Sequence, residues 1–153
     1  MAAVAAIRFA TPGEREALGD LHRRSSLVWE EDRANLEAHP EVFGVPAEAI
    51  AGRRVRVAVD EEGAVLGFSV VTDAGEGVCE LEDLFVEPAI MRGGVGTALV
   101  EDVATRHAAA GFREIVVTAA PRTFAFYESV GFTVGEPVAT RFGPAARLRR
   151  RLG

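Results

Sequence analysis

Three glycines lie within four residues between a predicted strand and a predicted helix, and this segment restricts the fold more than any other feature. The strand Val78–Val86 ends before Pro88. The glycines are Gly93, Gly94 and Gly96, and the predicted helix Gly94–Ala110 begins among them. A helix N-terminus carries N–H groups that lack intrahelical acceptors and a partial positive charge. Such an end binds phosphate groups when no side chain obstructs it. The segment therefore predicts an anion site in a chain that alternates strands and helices, and a pyrophosphate is the expected ligand.

Two common phosphate-binding loops are excluded by the residues around the glycines. A nucleoside-triphosphate loop needs Gly-Lys followed by Ser or Thr, and the chain contains no lysine. A dinucleotide loop needs the spacing G-x-G-x-x-G, and Leu99 stands where the third glycine belongs. Two interpretations remain open from these residues alone, namely an anion loop of another type and a tight turn without a ligand.

The hydrophobic patterns along the rest of the chain predict the order β-α-α-β-β-β-α-β-α-β-β. Thr11-Pro12-Gly13-Glu14 has the composition of a helix start with a capping box. The other predicted elements are strands at Val4–Phe9, Arg53–Asp60, Ala64–Thr72, Val78–Val86, Glu114–Ala119, Phe132–Glu136 and Ala145–Leu152, and helices at Glu30–Ala38, Gly94–Ala110 and Pro121–Val130, with one more turn near Pro46–Ile50. No linker interrupts the pattern, so we expect a single α/β (α+β) domain over residues 1–153.

Composition excludes several classes of function. The net charge of −6 argues against nonspecific nucleic-acid binding, which needs a basic surface. No segment approaches the ~20 apolar residues of a membrane span, and the single cysteine, Cys79, cannot form an intrachain disulfide, so we expect a soluble, cytoplasmic protein. The three histidines show no metal-ligand spacing, and we expect no metal site. Arg147, Arg149 and Arg151 alternate with apolar residues, which is typical of an edge strand with one wet face.

Two motifs together resemble the GNAT (GCN5-related) N-acetyltransferase family. Met91-Arg92-Gly93-Gly94-Val95-Gly96, after a strand and Val-x-Pro, is similar to the family's Gln/Arg-x-x-Gly-x-Gly/Ala loop. Phe126-Tyr127-Glu128-Ser129-Val130-Gly131-Phe132, ~35 residues later, is similar to its F-Y-x-x-x-G-F signature. The resemblance spans Val4 to Leu152 and implies the GNAT fold, with a mixed central sheet of about six to seven strands flanked by about four helices. Met91 and Ala120 depart from residues that are common in the family.

The resemblance implies acetyl-CoA as the cofactor and acetyl transfer to an amine as the reaction. It implies that the loop wraps the pyrophosphate of coenzyme A, and that main-chain N–H groups of the preceding strand bind the acetyl carbonyl and the pantetheine arm. The cofactor-binding residues expected on this basis are Leu84, Phe85, Val86, Met91, Arg92, Gly93, Gly94, Val95, Gly96 and Thr97.

Acetyl transfer needs a base for the ammonium group and an acid for the leaving thiolate. Tyr127 stands in the family's position for the acid, and a packing aromatic is the alternative. Glu80 and Glu82 point to one face of an ideal strand, where either is a candidate base, unless a bulge breaks the alternation. Cys79 is interpreted as a buried small hydrophobe.

The acceptor amine is not identified by the sequence. We expect it to bind near the first two helices, where Trp29 and Ser25 are candidates for substrate contact, and both small-molecule and peptide amines fit. A homodimer is expected from the family. A non-catalytic acyl-CoA-binding or regulatory module of the same fold is the alternative function, and a generic nucleotide-binding domain is a third.

Overall fold

The computed structural model describes residues 3–28, 34, 37–38, 43–90, 93–141 and 143–153. Those residues form four α-helices, namely α1 (Arg15–Ser26), α2 (Ala47–Ala51), α3 (Val95–Ala109) and α4 (Phe124–Ser129). The strands are β1 (Ala6–Phe9), β2 (Val55–Val59), β3 (Val65–Gly75), β4 (Val78–Val86), β5 (Glu114–Ala119), β6 (Thr133–Thr140) and β7 (Gly143–Arg151). Short 3-10 turns precede α1, α3 and α4. The helix predicted over Glu30–Ala38 lies almost entirely outside the described residues.

The seven strands form one mixed sheet in the order β1-β2-β3-β4-β5-β7-β6. Strand β4 pairs with β5 in parallel, through Val78–Glu80 opposite Glu114–Val116, and helix α3 supplies the crossover that a parallel pair requires. The neighbouring pairs β1–β2, β2–β3, β5–β7 and β6–β7 are antiparallel. The predicted α/β class and the mixed sheet flanked by about four helices are confirmed.

The prediction that the arginine-rich strand is an edge strand is wrong. Strand β7 lies between β5 and β6, and β6 occupies the edge. The alternating arginines do not mark an edge because their charges meet carboxylates: Arg149 contacts Glu114 at 3.1 Å and Glu136 at 3.4 Å. Cross-strand ion pairs therefore produce the same alternating pattern as a strand with one face in water.

Contacts between residues divide the chain into two compact units, one of Met1–Val70 with Asp83–Leu99 and the other of Val71–Glu82 with Val100–Gly153. The prediction of a single domain over residues 1–153 stays a prediction.

The first unit buries two hydrophobic clusters that follow the alternation of its strands. Val55, Val57 and Val59 of β2 belong to the cluster that contains Leu18 and Leu21 of α1. Ala58, between two of these valines, belongs to the other cluster, which contains Val95 and Leu99 of α3. The three valines therefore share one face of β2, which packs against α1, and Ala58 lies on the opposite face, which packs against α3.

The second unit builds its core from β4, β5, β7 and the later part of α3. Ile115, Val116 and Val117 are consecutive buried residues of β5, and Leu148 of β7 is fully buried. Helix α3 ends in a glycine turn, since Gly111 has φ +93° and the Phe112 N–H donates to the His107 carbonyl at 2.9 Å.

Candidate functional site

The N-terminus of α3 carries the backbone donors that the glycine segment predicts. The Ala98 N–H donates to the Gly94 carbonyl at 3.0 Å, in the first turn of the helix. The N–H groups of Val95, Gly96 and Thr97 precede that bond, so the helix itself supplies no acceptors for them. Gly93 and Gly94 are exposed, whereas the Val95 side chain is 1% exposed and anchors the turn. This end of the helix can accept an anion from solvent.

Gly93 and Gly94 serve different purposes in the loop. A Cβ on Gly94 would meet nothing within 4 Å, but its φ of +87° lies in the left-handed region that side chains disfavour. A Cβ on Gly93 would lie 3.0 Å from the Ile90 carbonyl oxygen, which accepts the Gly93 N–H at 3.1 Å. The backbone conformation therefore requires glycine at position 94, and close backbone approach favours glycine at position 93. Met91 and Arg92 lie outside the described residues.

The end of β4 leads directly into this loop. Leu84 and Val86 pack against the cluster of Val95 and Leu99, whereas Phe85 packs against the cluster on the other face. Their main-chain groups therefore lie in a strand whose side chains are anchored on both faces. The predicted cofactor-binding residues Leu84 to Val86, Gly93 and Gly94, and Val95 to Thr97 lie in one unit of the structure.

Gly67 of β3, which was not among the predicted site residues, explains how closely β3 packs against β4 and α3. A Cβ at this position would lie 2.8 Å from the Phe85 carbonyl oxygen, 3.1 Å from Val95 and 3.2 Å from Leu99. Only a residue without a side chain fits there. A glycine inside a strand pattern signals such close approach, so the sequence did carry this signal.

His22 of α1 is a second residue that the sequence analysis passed over. Its ring stacks on Phe85 with centroids 4.0 Å apart, and its Nδ1 accepts the Gly44 N–H at 3.0 Å. Burial lowers the pKa of His22 from 6.5 to about 4, so the ring is neutral at pH 7. His22 thus connects α1 to the strand that precedes the loop, without carrying a charge.

Arg24, one half-turn further along α1, contacts the residue after β4. Its Nη2 lies 2.5 Å from Glu87 Oε2, and its Nε donates to Glu87 Oε1 at 3.2 Å. The pair is bidentate, the geometry in which an arginine holds a carboxylate most firmly. No sequence spacing could have indicated this pair, because its partners lie 63 residues apart.

Tyr127 lies in α4, where the aromatic residues of its motif pack together. Its side chain is 8% exposed, and its ring centroid lies 5.1 Å from Phe126 and 5.3 Å from Phe132. The Tyr127 carbonyl accepts the N–H of Phe132 at 3.0 Å across a turn in which Gly131 has φ +93°. The F-Y-x-x-x-G-F spacing is therefore a short helix closed by a left-handed glycine, with its aromatic residues packed against one another.

The two candidate bases differ in their surroundings. Arg147 Nη1 lies 3.3 Å from Glu80 Oε2 and donates to Thr118 Oγ1 at 2.7 Å, so Glu80 belongs to a network across β4, β5 and β7. Glu82 is exposed. Cys79, beside Glu80, is 0% exposed, as expected of a small hydrophobe, and burial raises the pKa of its thiol to about 11.

The predicted substrate contacts receive little structural support. Ser25 is 5% exposed, so its side chain is packed inside the first unit. Trp29 lies outside the described residues. A cavity of about 830 Å³ opens between the start of α1 and the segment 43–46, and no predicted site residue lines it.

The described residues include no cluster of three or more His, Cys, Asp or Glu side chains that could hold a metal ion. No helix among those same residues is long and apolar enough to cross a membrane.

Comparison with known proteins gives one family and one fold. The family model described as "Acetyltransferase (GNAT) domain" matches residues 51–134. A search of curated proteins found no match. The structure of the PaiA N-acetyltransferase from Thermoplasma acidophilum in complex with coenzyme A superposes with a TM-score of 0.75 at 16% identity, covering 95% of this chain and 98% of that one.

Two further structures show the same fold. The phosphinothricin acetyltransferase from Sinorhizobium meliloti in complex with AcCoA has a TM-score of 0.71 at 20% identity, covering 99% of this chain and 90% of that one. An aminoglycoside 6'-N-acetyltransferase complexed with coenzyme A has a TM-score of 0.72 at 18% identity, covering 95% and 96%.

Proposed function

This chain belongs to the GNAT acetyltransferase family, and from that premise we propose that it transfers an acetyl group from acetyl-CoA to an amine by direct attack within a ternary complex. The observation that carries the proposal is the open N-terminus of α3, where exposed glycines give access to backbone donors immediately after β4. The coenzyme A and AcCoA bound to the structural neighbours support the choice of ligand.

The loop and the strand before it have separate tasks in this proposal. The N–H groups of Gly94 to Thr97 bind the pyrophosphate, and the helix dipole favours its negative charge. Met91, Arg92 and Gly93 are further candidate contacts to it, as the family resemblance implies. Main-chain groups of Leu84, Phe85 and Val86 bind the acetyl carbonyl and the pantetheine arm, as an added strand binds to a sheet edge.

Glu82 is the base that we favour for the acceptor. Glu80 already accepts from Arg147, whereas Glu82 is exposed and can take a proton from an ammonium group, directly or through water. The amine nitrogen then bonds to the acetyl carbon, and the carbon–sulfur bond breaks. The Tyr127 phenol donates its proton to the departing sulfur, and the second proton, which the nitrogen loses as the amide forms, restores the phenol. General acid–base catalysis of this kind contributes about 10²–10⁴-fold to a rate.

Thermal unfolding with and without acetyl-CoA tests the cofactor assignment. Ligand at about 100 times its dissociation constant stabilises a protein by about 2.7 kcal/mol, which raises Tm by roughly 5–10 °C for a chain of this size. ADP and ATP serve as controls. If acetyl-CoA stabilises the protein and both nucleotides do not, the cofactor assignment stands. No shift with millimolar acetyl-CoA means that the glycine segment is a turn only, and the enzyme proposal is abandoned.

A thiol-release assay with a panel of small amines and peptides tests turnover. We expect Tyr127→Phe to lower kcat about 10²-fold or more while leaving the dissociation constant of acetyl-CoA unchanged. Phe126→Leu is the matched control, because it alters the neighbouring ring without touching the phenol. Binding without release of thiol for any acceptor would instead support the non-catalytic module.

We also propose a cellular location for the protein and consider its assembly. A lone, buried cysteine without a disulfide partner supports a reducing, cytoplasmic location. Small-molecule and peptide amines are both candidate acceptors, and a homodimer stays a prediction from the family.

A further inference from the structure

The ion pair between Arg24 and Glu87 lies at the entrance to the anion-binding loop. Arg24 belongs to the last turn of α1, where a positive charge is favoured by the helix dipole. Both of its contacts reach Glu87, the residue between the end of β4 and the 3-10 turn Pro88–Ile90. The Arg24 side chain is 52% exposed and the Glu87 side chain is 25% exposed, so the pair forms at the protein surface.

Glu87 is held by its backbone as well as by its side chain. Its N–H donates to the Leu66 carbonyl of β3 at 2.8 Å, and its carbonyl accepts the Ile90 N–H at 3.0 Å. The Ile90 carbonyl in turn accepts the Gly93 N–H at 3.1 Å. Two successive backbone hydrogen bonds therefore connect Glu87, which Arg24 contacts, to Gly93.

We propose that Arg24 is a positioning residue which, acting through Glu87, keeps the 3-10 turn Pro88–Ile90 and the glycines Gly93 and Gly94 in the arrangement that binds pyrophosphate. The inference rests on the proposed function for its ligand, but its structural part concerns the loop alone. A loop that visits this conformation only part of the time binds its ligand more weakly in proportion to that fraction. Breaking the pair should therefore weaken binding without altering the chemical step.

Loss of the pair should leave the fold intact because other contacts join the same elements. His22, half a turn earlier on α1, stacks on Phe85 of β4 in an apolar contact that does not involve Arg24. Leu18 and Leu21 anchor the same helix in the core. A surface ion pair contributes up to ~1 kcal/mol, which corresponds to about a fivefold change in a dissociation constant.

The experiment compares Arg24→Gln, Glu87→Gln and the double variant with the intact protein. Arg8→Gln is the matched control, because Arg8 forms a similar bidentate pair with Glu14 at the opposite end of α1, with contacts of 2.9 and 2.8 Å. Calorimetry gives the dissociation constant of acetyl-CoA, and steady-state kinetics separate KM from kcat. Amide hydrogen exchange at Ile90 and Gly93, followed by NMR without ligand, reports on the loop itself.

We expect Arg24→Gln and Glu87→Gln each to raise the dissociation constant and KM for acetyl-CoA about fivefold, with kcat unchanged. The double variant should resemble either single variant, since both remove one interaction. Arg24→Lys should recover part of the loss because it keeps the charge and loses the bidentate geometry. Exchange at Ile90 and Gly93 should accelerate in the Arg24 and Glu87 variants and not in Arg8→Gln.

Equal exchange rates in Arg24→Gln and Arg8→Gln would overturn the inference, and so would equal affinities for acetyl-CoA. If the intact protein does not bind acetyl-CoA, the proposed function fails. The exchange rates at Ile90 and Gly93 still decide whether Arg24 holds the loop, so the two failures are distinguishable.

Discussion

Lowering the pH from 7 to 5 should destabilise the folded protein through His22. The ring lies among Phe43, Phe68 and Phe85, with centroid distances of 5.5, 6.4 and 4.0 Å, and burial lowers its pKa from 6.5 to about 4. An unfolded chain binds a proton at His22 below pH 6.5, whereas the folded chain does so only near pH 4. The free energy of unfolding therefore falls as the pH drops through this window.

The size of the effect follows from the displacement of the pKa. Each pH unit inside the window costs about 1.4 kcal/mol, so the step from pH 7 to pH 5 costs about 2 kcal/mol. That loss lowers Tm by roughly 4–8 °C for a chain of this length. Glu14 does not interfere, because the hydrogen bond from Arg8 lowers the pKa of its carboxyl to about 2 and its contribution is lost only below pH 4.5.

Urea unfolding followed by circular dichroism at pH 7, 6 and 5 measures this dependence. His22→Asn is the control variant, because the amide oxygen can accept the Gly44 N–H in place of Nδ1 and does not titrate. We expect the variant to be less stable than the intact protein at pH 7 but to show little change between pH 7 and 5. The same slope in both proteins would refute the argument, since it would assign the pH dependence to other groups.

Gly67→Ala should lower the free energy of unfolding by about 1–3 kcal/mol, because its Cβ would lie 2.8 Å from a backbone oxygen of β4. In urea unfolding, Gly13→Ala is its control, since a Cβ there meets nothing within 4 Å, and equal losses would contradict the packing argument. Cys79, which is 0% exposed and has a pKa of about 11, should resist an aromatic disulfide reagent at pH 8 until the chain unfolds; stoichiometric labelling of the folded protein would be the opposing result. In the thiol-release assay, Glu82→Gln should lower kcat about 10²-fold. Glu80→Gln, which breaks the ion pair with Arg147, should lower Tm and should lower kcat less than Glu82→Gln does. A larger loss of kcat in Glu80→Gln than in Glu82→Gln would make Glu80 the base.

Local patterns predicted most of the fold because the physical causes of the elements are local. Strands Val78–Val86 and Glu114–Ala119 have the predicted bounds, and the capping box of Thr11 and Glu14 is present at the start of the first helical segment. In each case, apolar periodicity or a cap three residues away determines the element. Strand β3 runs three residues beyond its predicted end, because Asp73 and Ala74 continue a ladder that their composition does not indicate.

Local sequence patterns did not predict the contacts between distant parts of the chain. The position of β7 inside the sheet depends on which strand β5 pairs with, and no local feature of the arginine-rich segment reports that choice. The engagement of Glu80 by Arg147 and of Glu87 by Arg24 likewise depends on tertiary placement. The motifs predict the loop and Tyr127 as site residues, and this stays a prediction, whereas tertiary contacts determine which carboxylate already has a partner.

The absence of a side chain at position 67 has a mechanical consequence for the first unit. Only a hydrogen atom separates the β3 backbone from the carbonyl of Phe85 and from the side chains of Val95 and Leu99. At that spacing, any movement of the strand or of the helix towards β3 meets van der Waals repulsion at once. The strand and the helix that flank the loop are therefore held at a minimum distance from β3 that the glycine at position 67 determines.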